Sequence, residues 1–133
     1  MSEYTSTREG FQRAMEWSLT GPPDDAKTYA EATTVPTFYH LFNNQRLDYN
    51  DYVDSLSQWR QKISEYKPKV EEFLRDGDQL AARMTGTIKV DKVDTFFESF
   101  LFAKVNNESG KIEYLIERSV WGEVGKEPEH GVN

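Results

Sequence analysis

A chain of 133 residues is the length of one domain, and its net charge of −7 with a pI near 4.9 sets it against phosphate backbones. No basic cluster interrupts that acidity, so nucleic acid is not an expected partner, and the absence of cysteine removes disulfides and thiolate metal sites. Hydrophobic residues make up 37% and aromatic residues 14%, enough for a single core or cavity lined with rings.

The opening stretch carries Glu3, Arg8, Glu9, Arg13 and Glu16 and has no apolar run of the signal-peptide kind, and no segment reaches the length of a membrane span. No membrane partner is therefore expected, and a cytoplasmic location is. Ser6 and Glu9 have the spacing of a capping box, after which Phe11, Ala14, Met15 and Ser18 recur at helical intervals with Trp17 beside them. Gly21-Pro22-Pro23 ends that helix. Asp24 and Asp25 suit the positive end of a short second helix bearing Ala26, Tyr29 and Ala30 on one side, which Pro36 bars from continuing.

Thr37 to Phe42 is aromatic and β-branched and reads as a strand, with Asn43-Asn44-Gln45 as the turn after it. A third helix is expected from Asp48, with Tyr49, Tyr52, Val53, Leu56, Trp59 and Ile63 as its apolar stripe and Pro68 as its stop. From Phe73 to Trp121 the pattern is a meander of four long strands. Its turns fall at Asp76-Gly77, at Asp91 to Asp94, and at Asn106, Asn107 and Gly110.

Alternation assigns the faces. Leu80, Ala82, Met84, Gly86 and Ile88 share one side of their strand, against Ala81, Arg83, Thr85, Thr87 and Lys89 on the other. The next strand is apolar on both sides: Phe96, Phe100 and Phe102 lie with Glu98, while Phe97, Leu101 and Ala103 lie with Ser99. A strand of that kind needs a core on one side and a subunit contact on the other, so a homodimer through the sheet face is expected. Beyond Gly122 the chain is polar and rich in Gly and Pro. The expected organisation is one domain over 1–124 and a disordered tail over 125–133.

Helices followed by strands indicate an α+β fold, here a strongly bent antiparallel sheet wrapped around three N-terminal helices, a cone with a pocket at its open mouth. The succession FYH, LDYNDYVDSLSQWRQKI, VEEFLRDGDQLAARMTGT and SGKIEYLIERSVWG resembles the SnoaL-like branch of the NTF2-like superfamily over residues 6–122. That resemblance implies the cone, usually dimeric through its sheet, with an apolar cavity. It also implies isomerisation, dehydration, aldol-type cyclisation, or ligand binding without chemistry. Cyclases and isomerases of this family commonly carry an acidic base on the strand before the GK turn. Here that place falls at Leu101, with Ser99 two residues earlier, unless a one-residue slip brings the Glu98 face inward. Family dehydratases use several cavity histidines, whereas this chain has only His40 and His130.

Three residues are candidates for catalysis. His40 can serve as base or acid near neutral pH, or be a half-exposed strand histidine bonded to backbone. Glu98, among phenylalanines, would have its pKa raised by burial, or be paired with an arginine across a dimer interface. Arg118 shares a face with Tyr114, Ile116 and Val120 and has Glu98 as its obvious partner, while Arg83 lies on a polar face. Substrate contacts are expected from Tyr52, Trp59, Met84, Ser99, Leu101 and Trp121. The expected function is cofactor-independent proton transfer on a hydrophobic oxygenated small molecule, of the isomerase, cyclase or lyase type found in secondary metabolism, with no metal. The alternative is a non-catalytic ligand-binding or dimerising module of the same fold.

Overall fold

The computed structural model describes residues 3–123. Helix α1 spans Arg8–Ser18, a 3-10 turn Pro23–Asp25 leads into α2 at Ala26–Thr33, and strands β1 (Thr34–Phe42) and β2 (Gln45–Asp48) precede α3 at Tyr49–Lys62. Then come β3 (Ile63–Asp76), β4 (Gln79–Val90), β5 (Val93–Val105) and β6 (Ile112–Glu123). The strands form one six-stranded sheet in the order β2-β1-β6-β5-β4-β3. It bends around the three helices into the expected cone and is not closed, since β2 and β3 are its edges. Every neighbouring pair is antiparallel except β1 and β6, which run parallel, so the sheet is mixed where a purely antiparallel one was expected. The cause is the chain path: the last strand of the meander pairs with β5 on one side and on the other with β1, which comes from before α3 and is not its hairpin partner. Among the described residues no helix is long and apolar enough to cross a membrane.

Local chemistry explains most boundaries. The N-cap of α1 is Thr7, whose hydroxyl accepts from the Gly10 amide at 3.0 Å, in place of the expected Ser6–Glu9 box. At its other end α1 has no basic residue of its own in the last turn. Arg60 of α3 supplies the charge instead, donating to the carbonyls of Trp17 at 2.6 Å, Ser18 at 3.2 Å and Pro22 at 2.9 Å. Phe11, Ala14 and Met15 of α1 and Ala26, Tyr29 and Ala30 of α2 are buried together, as their spacing predicts.

Several edges differ from expectation. Asn43 and Asn44, at φ 46° and 72°, form a two-residue turn that starts β2 at Gln45, so Gln45 is strand and not turn. Strand β1 starts at Thr34 and takes Pro36 within it. Helix α3 ends at Lys62, so Ile63 of the predicted stripe begins a strand and Pro68 lies inside β3, opposite Gly86. Proline is tolerated there because β3 is an edge strand. A side chain at Gly86 would place its Cβ 2.4 Å from the Lys67 carbonyl oxygen, so only glycine fits that crossing. The turn before β5 rests on Asp91 and Lys92, both at positive φ, and the turn before β6 on Asn106, whose side chain accepts from the amides of Glu108 and Ser109.

The face assignment of β4 holds, with Leu80, Ala82, Met84 and Ile88 buried. In β5 the inward face is Phe97, Ser99, Leu101 and Ala103, and the outward face keeps Phe100 50% and Phe102 38% exposed. The tail expected to be disordered, 125–133, lies outside the described residues.

Because Arg60 is buried with its guanidinium tying the end of α1 and the following turn to α3 through three carbonyls, Arg60→Ala should lower stability by about 3 kcal/mol, read as an earlier urea midpoint at unchanged slope. Arg60→Lys should recover only part of the loss, since one ammonium cannot span the fork of contacts.

Candidate active site

The concave side of the sheet and the helices enclose a cavity of about 150 Å³. Its walls are mainly apolar, with Leu56 and Trp59 from α3, Met84 and Ile88 from β4, and Phe97 and Leu101 from β5. Trp59 and Trp121 stack with ring centroids 6.1 Å apart, and Trp121 leans on Phe97, so the helix and the sheet meet through an aromatic wall.

Polar groups converge on one strand. His40 of β1 bonds through Nε2 to Glu117 Oε1 at 3.0 Å, and the two side chains are only 12% and 13% exposed. The second carboxylate oxygen, Oε2, accepts from the Ser119 hydroxyl at 3.0 Å, and Ser119 hydrogen-bonds Ser99 across the β5–β6 ladder. With the ionised carboxylate accepting from His40, Nε2 carries the ring proton and Nδ1 is the nitrogen left to accept one. The Asn43 turn braces this arrangement: its side chain accepts from the Ser119 amide at 2.9 Å, and its own amide donates to the Glu117 carbonyl at 3.0 Å.

Three phenols complete the polar end. Tyr52 meets the His40 ring edge to face at 5.5 Å between centroids, and Tyr29 and Tyr66 line the cavity with it. Burial pushes Tyr29 up to about 12 and raises Tyr52 and Tyr66 well above the ordinary phenol value, with the Glu117 charge adding in the same direction. All three are neutral hydrogen-bonding groups at physiological pH. Among the described residues no group of three or more His, Asp or Glu side chains is placed to hold a metal ion.

His40, Tyr52, Trp59, Met84, Ser99, Leu101 and Trp121 all line the cavity. Glu98 and Arg118, expected beside His40, do not, and this corrects both their location and their pairing. Alternation from Phe97 and from Leu115 turns both outward, because β5 and β6 pair through this region without a register slip. Glu98 bonds Arg83 at 2.9 Å, and Arg83 also bonds Glu72 at 2.6 Å, while Arg118 is exposed and donates to Asn44 at 2.7 Å.

The residue missed was Glu117. It pairs in register with Leu101, so a carboxylate enters opposite the position where an acid was sought, one strand over. Its signal was available: Leu115, Glu117, Ser119 and Trp121 alternate on one face. The other face of β6, Tyr114, Ile116 and Val120, is also apolar, and the pattern alone does not say which face is inward.

No protein-family model matches the chain, and no curated protein does. Among solved structures the chain is similar to BvnE pinacolase from Penicillium brevicompactum, with 8% identity, a TM-score of 0.70, and coverage of 88% of this chain and 82% of that one. It is also similar to an LEH-like epoxide hydrolase of M. tuberculosis, at 14% identity and TM-score 0.63 over 81% of this chain and 80% of that one. The de novo designed protein NT-9 matches at 18% identity and TM-score 0.59, covering 86% of this chain and 87% of its own. At these identities the likeness is one of fold.

Phenols held neutral by burial make the fold sensitive to alkali. Below about pH 10 they are protonated in the folded and the unfolded chain alike; above it the unfolded chain releases protons that the folded one retains. Stability should therefore fall as pH rises from about 10 toward the folded value of about 12 for Tyr29. In a spectrophotometric titration of the seven tyrosines, three should ionise only as near-ultraviolet circular dichroism is lost.

Proposed function

From an NTF2-like fold whose cavity holds a half-buried His40–Glu117 pair, we propose that this chain is a cofactor-independent enzyme of the isomerase, cyclase or dehydratase type. It moves a proton on a hydrophobic, oxygenated small molecule. The observation that carries this reading is the imidazole–carboxylate contact at 3.0 Å within a mainly apolar chamber. Desolvated side chains of that kind are suited to proton transfer, and the carboxylate supports the imidazolium that forms.

In this reading His40 Nδ1 takes a proton from a carbon next to a carbonyl, Glu117 holds Nε2–H and balances the new charge, and a neutral phenol, Tyr52 foremost, donates to the developing enolate oxygen. Trp59, Met84, Leu101 and Trp121 supply the apolar contact. Neither lysine nor arginine is among the described residues that line the cavity, which favours an uncharged substrate over a carboxylate or phosphate.

A panel of cyclic ketones and enones incubated in D₂O tests this, with α-deuteration followed by proton NMR. The wild-type protein should accelerate exchange of a member of the panel, and His40→Ala or Glu117→Gln should lower that rate by about 10²- to 10⁴-fold while circular dichroism is unchanged. Acceleration that survives in both variants would remove the role of the pair, and a wild type that accelerates no exchange would leave a ligand-binding module as the better reading.

The same reading has the chain work as a homodimer through the convex sheet face, where Phe100 and Phe102 are 50% and 38% exposed beside the Arg83–Glu98 pair. Sedimentation at micromolar concentration should give twice 15.5 kDa, and Phe100→Arg should return the single mass.

A further inference from the structure

Two buried hydroxyls take no part in the mechanism above. Ser99 and Ser119 face each other in register across β5 and β6, are 2% and 1% exposed, and hydrogen-bond one another. Ser119 Oγ also lies 3.0 Å from Glu117 Oε2, where an ionised carboxylate can only accept. A hydroxyl has one proton, so Ser119, donating to Glu117, must accept from Ser99. Ser99 thus directs its proton at Ser119 and keeps its lone pairs for the cavity that it lines. His40 meets the other oxygen of Glu117 from β1. The result is one polarised chain across three adjacent strands, from Ser99 on β5 through Ser119 and Glu117 on β6 to His40 on β1.

We propose that Ser99 is a further polar ligand-contacting residue, whose hydrogen-bonding direction is set by the proton on Glu117, and that the ligand carries an oxygen function at the Ser99 end. With Glu117 ionised, Ser99 presents an acceptor, which suits a ligand hydroxyl. With a proton on Glu117 Oε2 the chain reverses: Glu117 donates to Ser119, Ser119 donates to Ser99, and Ser99 presents its own proton to a ligand oxygen. One proton enters at Glu117 for each one presented at Ser99, and no further reactant is needed. Tyr29 of α2, Tyr52 of α3 and Tyr66 of β3 are the other titratable groups that feel Glu117, and all three stay neutral through the physiological range, so none competes for its charge. The inference rests on the proton-transfer reading for its chemical use, and on hydrogen-bond geometry alone for its direction.

The coupling can be read in ligand-free protein labelled with ¹⁵N-histidine. The chain has two histidines, and His130→Gln identifies the His40 signal. Ser119→Ala should move the His40 Nε2 resonance, because Glu117 deprived of one donor draws harder on the other. Ser99→Ala should move it in the same direction by less, and Ser99→Thr, whose extra methyl can enter the cavity, should restore it. If Ser119→Ala does not fold, the two Ser99 variants carry the measurement. A resonance that stays in place in Ser99→Ala overturns the coupling. The contact itself is tested with two probes, 2-hydroxycyclohexanone and cyclohexanone. The wild type should bind the hydroxyketone about ten-fold more tightly, and Ser99→Ala should erase the difference. A wild type without that preference, or a variant that keeps it, overturns the contact. Neither measurement needs turnover, so failure of the deuteration assay would end the enzymatic reading without touching this one.

Discussion

A carboxylate inside an apolar chamber is the constraint from which the rest of this structure follows. Both oxygens of Glu117 need hydrogen-bond partners there, because a polar group turned away from water without partners is costly. The partners come from two directions, His40 at one oxygen and Ser119 at the other. Each is held in turn, His40 by the edge of Tyr52 and Ser119 by Asn43 and Ser99.

The parallel placement of β1 against β6 makes that convergence possible. A hairpin partner would have been the neighbouring segment of the meander, whereas the crossover brings in a strand from before α3, with its own histidine and its own turn. The Asn43-Asn44 turn then reaches back over β6 and binds its backbone at the Glu117 carbonyl and the Ser119 amide. A two-residue reversal thus serves as a clamp on the site as well as a connection between strands.

The meander, the helix stripes and the inward face of β4 were legible because each is a local pattern: period two, period three to four, and glycine or asparagine where φ must be positive. The boundary at Lys62 was not, since Pro68 reads as a helix stop unless it is known that β3 lies at a sheet edge. The site was half legible. His40 and the apolar wall follow from residue type and alternation. Glu117 requires knowing which side of β6 is concave, and both sides carry aliphatic residues, so only the three-dimensional register decides. Glu98 and Arg118 were drawn toward the cavity for the same reason, and the uninterrupted β5–β6 pairing puts both on the convex side.

The free border of β3 has a consequence of its own. That strand is 14 residues long, and a bare border of such length would invite other chains to add onto it. Here the Gln12 side chain behaves like a fragment of a seventh strand: its amide donates to the Pro68 carbonyl at 2.8 Å, and its oxygen accepts from the Val70 amide at 2.7 Å. Arg8 takes the Val70 carbonyl at 2.6 Å, and Pro68 has no amide to offer. At the opposite border β2 has only four residues. Both borders are thus poor templates for open-ended fibril growth, and a side chain of the first helix acts as the gatekeeper of the longer one.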